Sequence, residues 1–171
     1  EIEILRGAAS LQYGTQFGGL INFILKKPNK SKKSEIITRN TIGSKNLYTN
    51  FTSISLNSDK LSFYGYSNYK NGKGFRKNSN FESFNAYGFI NYNIDSKSNI
   101  SFESTYLNYL AKQAGGLSDK MFNENPFQSN RDRNWFNVNW ILYNLKYNLK
   151  INNSANFSFK LFGLEATRDA L

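Results

Sequence analysis

The chain of 171 residues contains no cysteine and no histidine. The first absence excludes disulfides and thiol nucleophiles. The two together remove most zinc sites and imidazole acid–base catalysis. No apolar run reaches the roughly 20 residues of a membrane-spanning helix, and no signal peptide is visible. Acidic residues are few, 12 against 22 Lys and Arg, so the formal charge is +10. They are also scattered, and no pair sits at a catalytic spacing. With no catalytic constellation, the chain is read as a non-enzyme. The chain starts at Glu1 without Met and stops at Leu171 just after a strand-like segment, which reads as a piece of a longer protein.

The basic excess has two readings. A cationic surface suits nucleic acid, anionic lipid or an anionic ligand. A chain rich in Asn, Lys, Ile, Phe and Tyr together also follows from an AT-rich genome. Asn50-Phe-Thr52, Asn99-Ile-Ser101 and Asn156-Phe-Ser158 fit the glycosylation pattern, but an Asn-rich chain produces such matches by chance.

What the sequence does have is aromatics, 16% of residues, in a chain of mean hydropathy −0.58 with only two prolines. That combination favours β-structure. After Pro28, strand-like runs alternate with polar breaks over 34–44, 46–58, 61–70, 80–94, 99–110, 134–151 and 156–168. None shows helical spacing. In 141–151, Ile141, Tyr143, Leu145, Tyr147, Leu149 and Ile151 share one strand face, against Leu142, Asn144, Lys146, Asn148 and Lys150. Phe84, Ala86, Gly88, Ile90, Tyr92 and Ile94 repeat the pattern against Asn85, Asn91 and Asn93. Ile100, Phe102 and Tyr106 oppose Ser101, Glu103 and Thr105 more weakly. In 46–70 aromatics occupy both faces, and the sides stay open.

These runs exceed the usual length of about 5–6 residues and reach the roughly 9–11 that a tilted strand needs to cross a bilayer. The breaks at 57–60, 95–99 and 152–156 are short and rich in Asn, Asp and Ser, whereas 71–79 and 111–133 are long. A tight hairpin at 43–46 interrupts that alternation. Short turns on one side and long loops on the other suit an outer-membrane barrel, with 71–79 and 111–133 outside. A soluble sandwich with long hairpins is the competing architecture.

Residues 5–27 hold the glycine-rich stretch LRGAASLQYGTQFGGLINFILKK. Its glycines predict tight turns, and Leu20 to Leu25 reads as a strand buried on both faces. No phosphate-loop or dinucleotide fingerprint is present. The pattern Ile2, Glu3, Arg6, Gly7, Ser10, Tyr13, Gly14, Gly18, Gly19, Ile21, Asn22, Lys26, Lys27 and Pro28 resembles the end of the plug domain in TonB-dependent outer-membrane receptors. The resemblance covers residues 1–28. It implies an all-β chain with the C-terminal end of a plug at 1–28. Residues 29–171 would be the N-terminal portion of an antiparallel transmembrane β-barrel, about seven strands. Large transporters of this kind enclose a plugged lumen.

The stretch SLQYGTQFGGLINF, with 115–136 later, looks like the ferric-dicitrate branch of that family. The resemblance implies TonB-dependent uptake of a ferric citrate or related siderophore across the outer membrane of a Gram-negative bacterium. No covalent cofactor or metal centre is implied. The expected partners are TonB, through plug segments missing from this piece, outer-membrane lipid and an anionic ferric chelate. Cations and amides should meet an anionic chelate, and arginine offers forked hydrogen bonds to carboxylates. Gln12, Gln16, Arg76, Gln128, Arg131 and Arg133 are the candidates, with Lys77 beside Arg76. Lys146, Lys150 and Lys160 lie on polar strand faces and either line a positive lumen or are ordinary lumen side chains. Arg6, Gly7, Tyr13, Gly14, Gly18 and Gly19 are read as structural or gating parts of the plug, Arg6 through pairing with barrel-wall carboxylates. A passive porin or adhesin barrel is the alternative, and a soluble nucleic-acid binder with stacking aromatics is a third.

Overall fold

The computed structural model describes residues 1–7 and 18–171. The strands in chain order are β1 (Ile2–Leu5), β2 (Leu20–Phe23), β3 (Ser34–Gly43), β4 (Leu47–Asn57) and β5 (Leu61–Gly72). They continue as β6 (Phe81–Asn93), β7 (Ser98–Lys112), β8 (Trp135–Lys150) and β9 (Asn156–Ala170), with one short helix, α1 (Asp119–Glu124), between β7 and β8. Strands β3 to β9 form one seven-stranded antiparallel sheet in sequence order, a meander of hairpins. Strands β1 and β2 pair separately. The chain is all-β, as its alternation predicts.

The short connections owe their geometry to side-chain chemistry. Asp95 Oδ1 accepts from the backbone N–H of Lys97 (2.7 Å) and Ser98 (2.8 Å), closing the turn between β6 and β7. Asn152 does the same for Ser154 in the next short turn. At 43–46 the left-handed conformations of Lys45 and Asn46 let β3 turn directly into β4.

The register places one row of side chains across the whole sheet: Glu35, Ser55, Tyr64, Phe89, Glu103, Asn144 and Phe162. Alternation assigns every other strand residue to that face or its opposite. The face carrying this row holds the deepest side chains: Ser53, Ser55, Tyr64 and Tyr87 are at most 4% exposed. The opposite face is apolar yet open. Phe102 is 43% exposed, Phe159 51% and Leu161 56%. Leu61, Ile90, Tyr92, Ile100 and Phe157 stand on the same open face. Burial is thus inverted relative to a water-soluble sheet, where apolar faces pack inward.

The N-terminal segment lies on the polar face. Lys26 Nζ sits 5.5 Å from the centre of the Tyr64 ring, and Lys27 Nζ 5.9 Å from that of Phe89. Asn29 donates its backbone N–H to Ser55 Oγ (3.0 Å) and accepts from Asn57 Nδ2 at its carbonyl (2.7 Å). Strand β1, absent from the expected elements, forms an antiparallel ladder with β2 from Ile2–Phe23 to Leu5–Leu20. Asn22 Nδ2 donates to Glu3 Oε2 across it. This corrects the expectation of a strand buried on both faces over Leu20 to Leu25. The strand ends at Phe23, and Ile21 and Phe23 are exposed while Leu20 and Asn22 are half-buried, because the ladder with β1 pairs strand edges and does not itself cover a face.

Candidate functional site

Two long connections meet at the end of the sheet opposite the short turns: 73–80 between β5 and β6, and 113–134 between β7 and β8. Glycine makes both possible. Gly74 and Gly115 take positive φ, and a Cβ at Gly115 would collide with Asn130 Oδ1. Helix α1 is capped by Ser118, whose side chain accepts from Met121 N–H. It is too short for a helical period to show in the sequence.

Arg76 joins the two connections. Its Nε donates to the Gln128 carbonyl (2.9 Å), one terminal nitrogen to Gly115 (2.8 Å) and the other to Ala114 (3.3 Å). Asn78, in the left-handed region, donates Nδ2 to the carbonyls of Arg131 (2.6 Å), Gln113 (3.1 Å) and Asn134 (3.2 Å). Lys77 N–H donates to the Phe127 carbonyl, and the Phe75 and Phe127 rings lie 4.9 Å apart. Gln128 Nε2 donates to the Met121 carbonyl within α1. The result is one cross-braced cap. Arg131 and Arg133 are exposed on it and make no ion pair among the described residues. Forked cations on a fixed backbone suit carboxylate recognition, because little ordering remains to be done on binding.

The polar face carries a second set of groups. Glu103 accepts from Tyr87 Oη at one oxygen (2.9 Å) and from Asn144 Nδ2 at the other (2.8 Å). Tyr87 packs between Tyr64 and Tyr66, with centroids 6.2 and 5.8 Å away, and Tyr66 meets Phe51 at 5.6 Å. Arg39 stands over Phe51 at 5.9 Å. Trp140 Nε1 and Asn144 Oδ1 are buried without a hydrogen-bond partner among the described residues. The register confirms that Lys146, Lys150 and Lys160 lie on this face. At the short-turn end a cleft of 840 Å³ opens between the β6–β7 turn and the ends of β8 and β9.

The structure therefore brings Arg76, Gln128, Arg131 and Arg133 into one cap. Within it, Arg76 and Gln128 spend their side chains on bracing, while Arg131 and Arg133 face outward. Arg6 is exposed, and Gly7 and Gly19 take positive φ. A Cβ at Gly19 would approach the Leu5 carbonyl to 2.8 Å, whereas one at Gly18 would meet nothing within 4 Å among the described residues. Gln12, Gln16, Tyr13 and Gly14 lie outside the described residues. Among the described residues no cluster of acidic groups could hold a metal ion. The Tyr87–Glu103–Asn144 network was missed from sequence; Glu103, the single carboxylate on the polar side of β7, was its only signal. A scan of protein-family models and a search of curated proteins give no match to this chain.

Proposed function

We propose that this chain is part of a plugged outer-membrane β-barrel that takes up an anionic ferric chelate, ferric dicitrate or a related siderophore, by TonB-driven transport. The observation that carries the reading is the inverted sheet: Tyr64, Tyr87, Ser53 and Ser55 are buried while Phe102, Phe159, Leu161 and Ile90 stand open on the other face. Lipid is the solvent that makes this arrangement favourable, since it demands an apolar exterior and leaves the lumen polar. From Phe84 to Ile94 the apolar face runs ten residues, about 33 Å along the strand, or about 24 Å across a membrane at the usual tilt. That matches a bilayer band of about 25 Å.

The segment lying over the polar face through Lys26, Lys27 and Asn29 supports a plug leaving a lumen, and counts against an open passive pore. The resemblance of residues 1–28 to a plug end supports the same reading. In this mechanism no bond in the chelate is made or broken. The braced cap presents Arg131 and Arg133 to the carboxylates of the chelate. TonB then works on the plug and opens a path along the polar wall.

The test is uptake of radiolabelled iron as ferric citrate by iron-limited cells carrying the full-length protein. Uptake is expected above that of cells lacking the protein, and is expected to vanish without TonB. Uptake no better than that of a control barrel would refute the substrate assignment. Recovery of the intact protein in the soluble fraction would refute the barrel.

A further inference from the structure

We propose that Lys27, Lys146 and Lys160 form a carboxylate-binding subsite on the lumen wall, a station for the anionic chelate below the outer cap; this rests on the barrel-transport reading. Lys146 and Lys160 are direct cross-strand partners on β8 and β9, so their side chains leave the same face side by side. Like charges placed directly opposite each other destabilise a sheet. Lys27 approaches from the N-terminal segment, its ammonium over the Phe89 ring. Phe89 is the partner of Glu103, Glu103 of Asn144, and Asn144 stands two residues before Lys146 on the same face. Neighbouring strands are about 4.8 Å apart and same-face neighbours about 7 Å apart, well within the combined reach of three lysine side chains.

Glu103 lies on the same face, two strands from β9, and both its oxygens already accept hydrogen bonds, from Tyr87 and Asn144. The formal charges on this part of the face are three ammoniums and one carboxylate, an excess of positive charge that favours an anion. The wider distribution of charge has the same sign. Arg39, Lys70, Lys146, Lys150, Lys160 and Arg168 all face the lumen side of their strands, against Glu35 and Glu103. On the opposite face the strands carry Glu82, Glu165 and Asp169, with Lys112 the one cation among the described strands of the sheet. A lumen biased in this way attracts anions and repels cations. A polycarboxylate is the class that fits three separate ammonium donors, each of which can hydrogen-bond one carboxylate oxygen.

The experiment uses the full-length protein in its own membrane. Lysines are acylated at constant ionic strength with citrate or with glycerol present, and each site is read by mass spectrometry. The reagent attacks the neutral amine, and a bound carboxylate stabilises the ammonium. Citrate should therefore slow acylation of Lys27, Lys146 and Lys160 by about tenfold, and leave Lys97 and Lys120 unchanged. In the Lys146→Gln/Lys160→Gln variant, citrate should no longer protect Lys27. If the three lysines follow Lys97 and Lys120, or if Lys27 stays protected in the double variant, the subsite does not exist. Uptake is scored separately: protection without uptake refutes transport and keeps the subsite, and uptake without protection does the reverse.

Discussion

Replacing Arg76 with alanine removes at once three of the hydrogen bonds that tie 73–80 to 113–134. The acceptors are the carbonyls of Gln128, Gly115 and Ala114, at 2.9, 2.8 and 3.3 Å. A hydrogen bond from a charged donor contributes about 1.5–3 kcal/mol. The three share one half-buried side chain, and water can reach part of the site once it opens, so their effects do not add. We take about 3 kcal/mol for the whole clasp. In the exchange regime set by local opening this corresponds to about a 150-fold faster exchange of the amides that the cap protects. Those amides are Lys77, which donates to Phe127, Gln113, which donates to Asn134, and Asn130, which donates to Ala114. The assay is hydrogen–deuterium exchange on the full-length protein in detergent. Amides in the middle of β6 and β7 serve as an internal standard. Arg76→Lys should fall between wild type and alanine, because one ammonium cannot reproduce a planar fork reaching three carbonyls. Unchanged protection of Lys77, Gln113 and Asn130 in Arg76→Ala would refute the clasp.

Other perturbations test the membrane reading, the turns and the cap. Phe102→Arg, on the open apolar face, should destabilise the barrel by about 2–4 kcal/mol, whereas Asn68→Arg, on the polar face, should cost under about 1 kcal/mol; denaturant refolding into vesicles measures both, and equal effects would remove the lipid assignment. The Asp95 carboxyl is held below the ordinary value of 3.8 first by the Lys97 N–H and then by Ser98. Because the folded value is the lower one, Asp95 stabilises its turn above that ordinary value and loses the contribution as pH falls through the folded value. The protection factor of the Ser98 amide, its rate relative to the intrinsic rate at each pH, should fall on acidification through that range in wild type but not in Asp95→Asn; the same acid response in both would sink the assignment. Gly115→Ala should loosen the 113–134 connection by about 1–2 kcal/mol, since it adds a strained left-handed alanine and a clash with Asn130, and limited proteolysis within the loop reports it.

The seven long strands were legible because each carries its own register. Alternation over 80–94, 99–110 and 141–151 assigns the same residues to the open face as the ladder does. Asn, Asp and Ser mark the short turns, and the ends of the seven strands differ from expectation by at most two residues, within ordinary fraying. The sides of 46–70 were not legible for a physical reason. Phe51, Tyr64 and Tyr66 lie on the polar face, while Tyr48, Phe63 and Tyr69 lie on the other. Tyrosine serves both solvents, since its ring packs and its hydroxyl hydrogen-bonds. Strand β1 escaped because four residues are too few to show a period, and its partner β2 lies many residues away. The cap was legible only as a long polar connection. Its bracing depends on Arg76 reaching carbonyls 38 to 52 positions along the chain, which no local pattern encodes.

The same inversion bears on what holds the sheet together. A soluble core of this size would hide leucine and phenylalanine; here the deepest side chains are Ser53, Ser55, Tyr64 and Tyr87. Burying a hydroxyl is costly unless it finds a partner, and the Tyr87 hydroxyl finds Glu103. Side-chain packing within this chain is therefore a weak source of stability. In the proposed membrane setting the ladders between strands are a strong one, because every backbone group left unpaired in hydrocarbon costs several kcal/mol. On the barrel-transport proposal, the apolar face adds its contribution when hydrocarbon covers Phe102, Phe159 and Leu161. Two consequences separate this arrangement from a soluble sheet. Lipid of matched thickness should raise stability more than any substitution inside the polar face can. Removing detergent should cost the ordered state even when every native contact within the chain is intact.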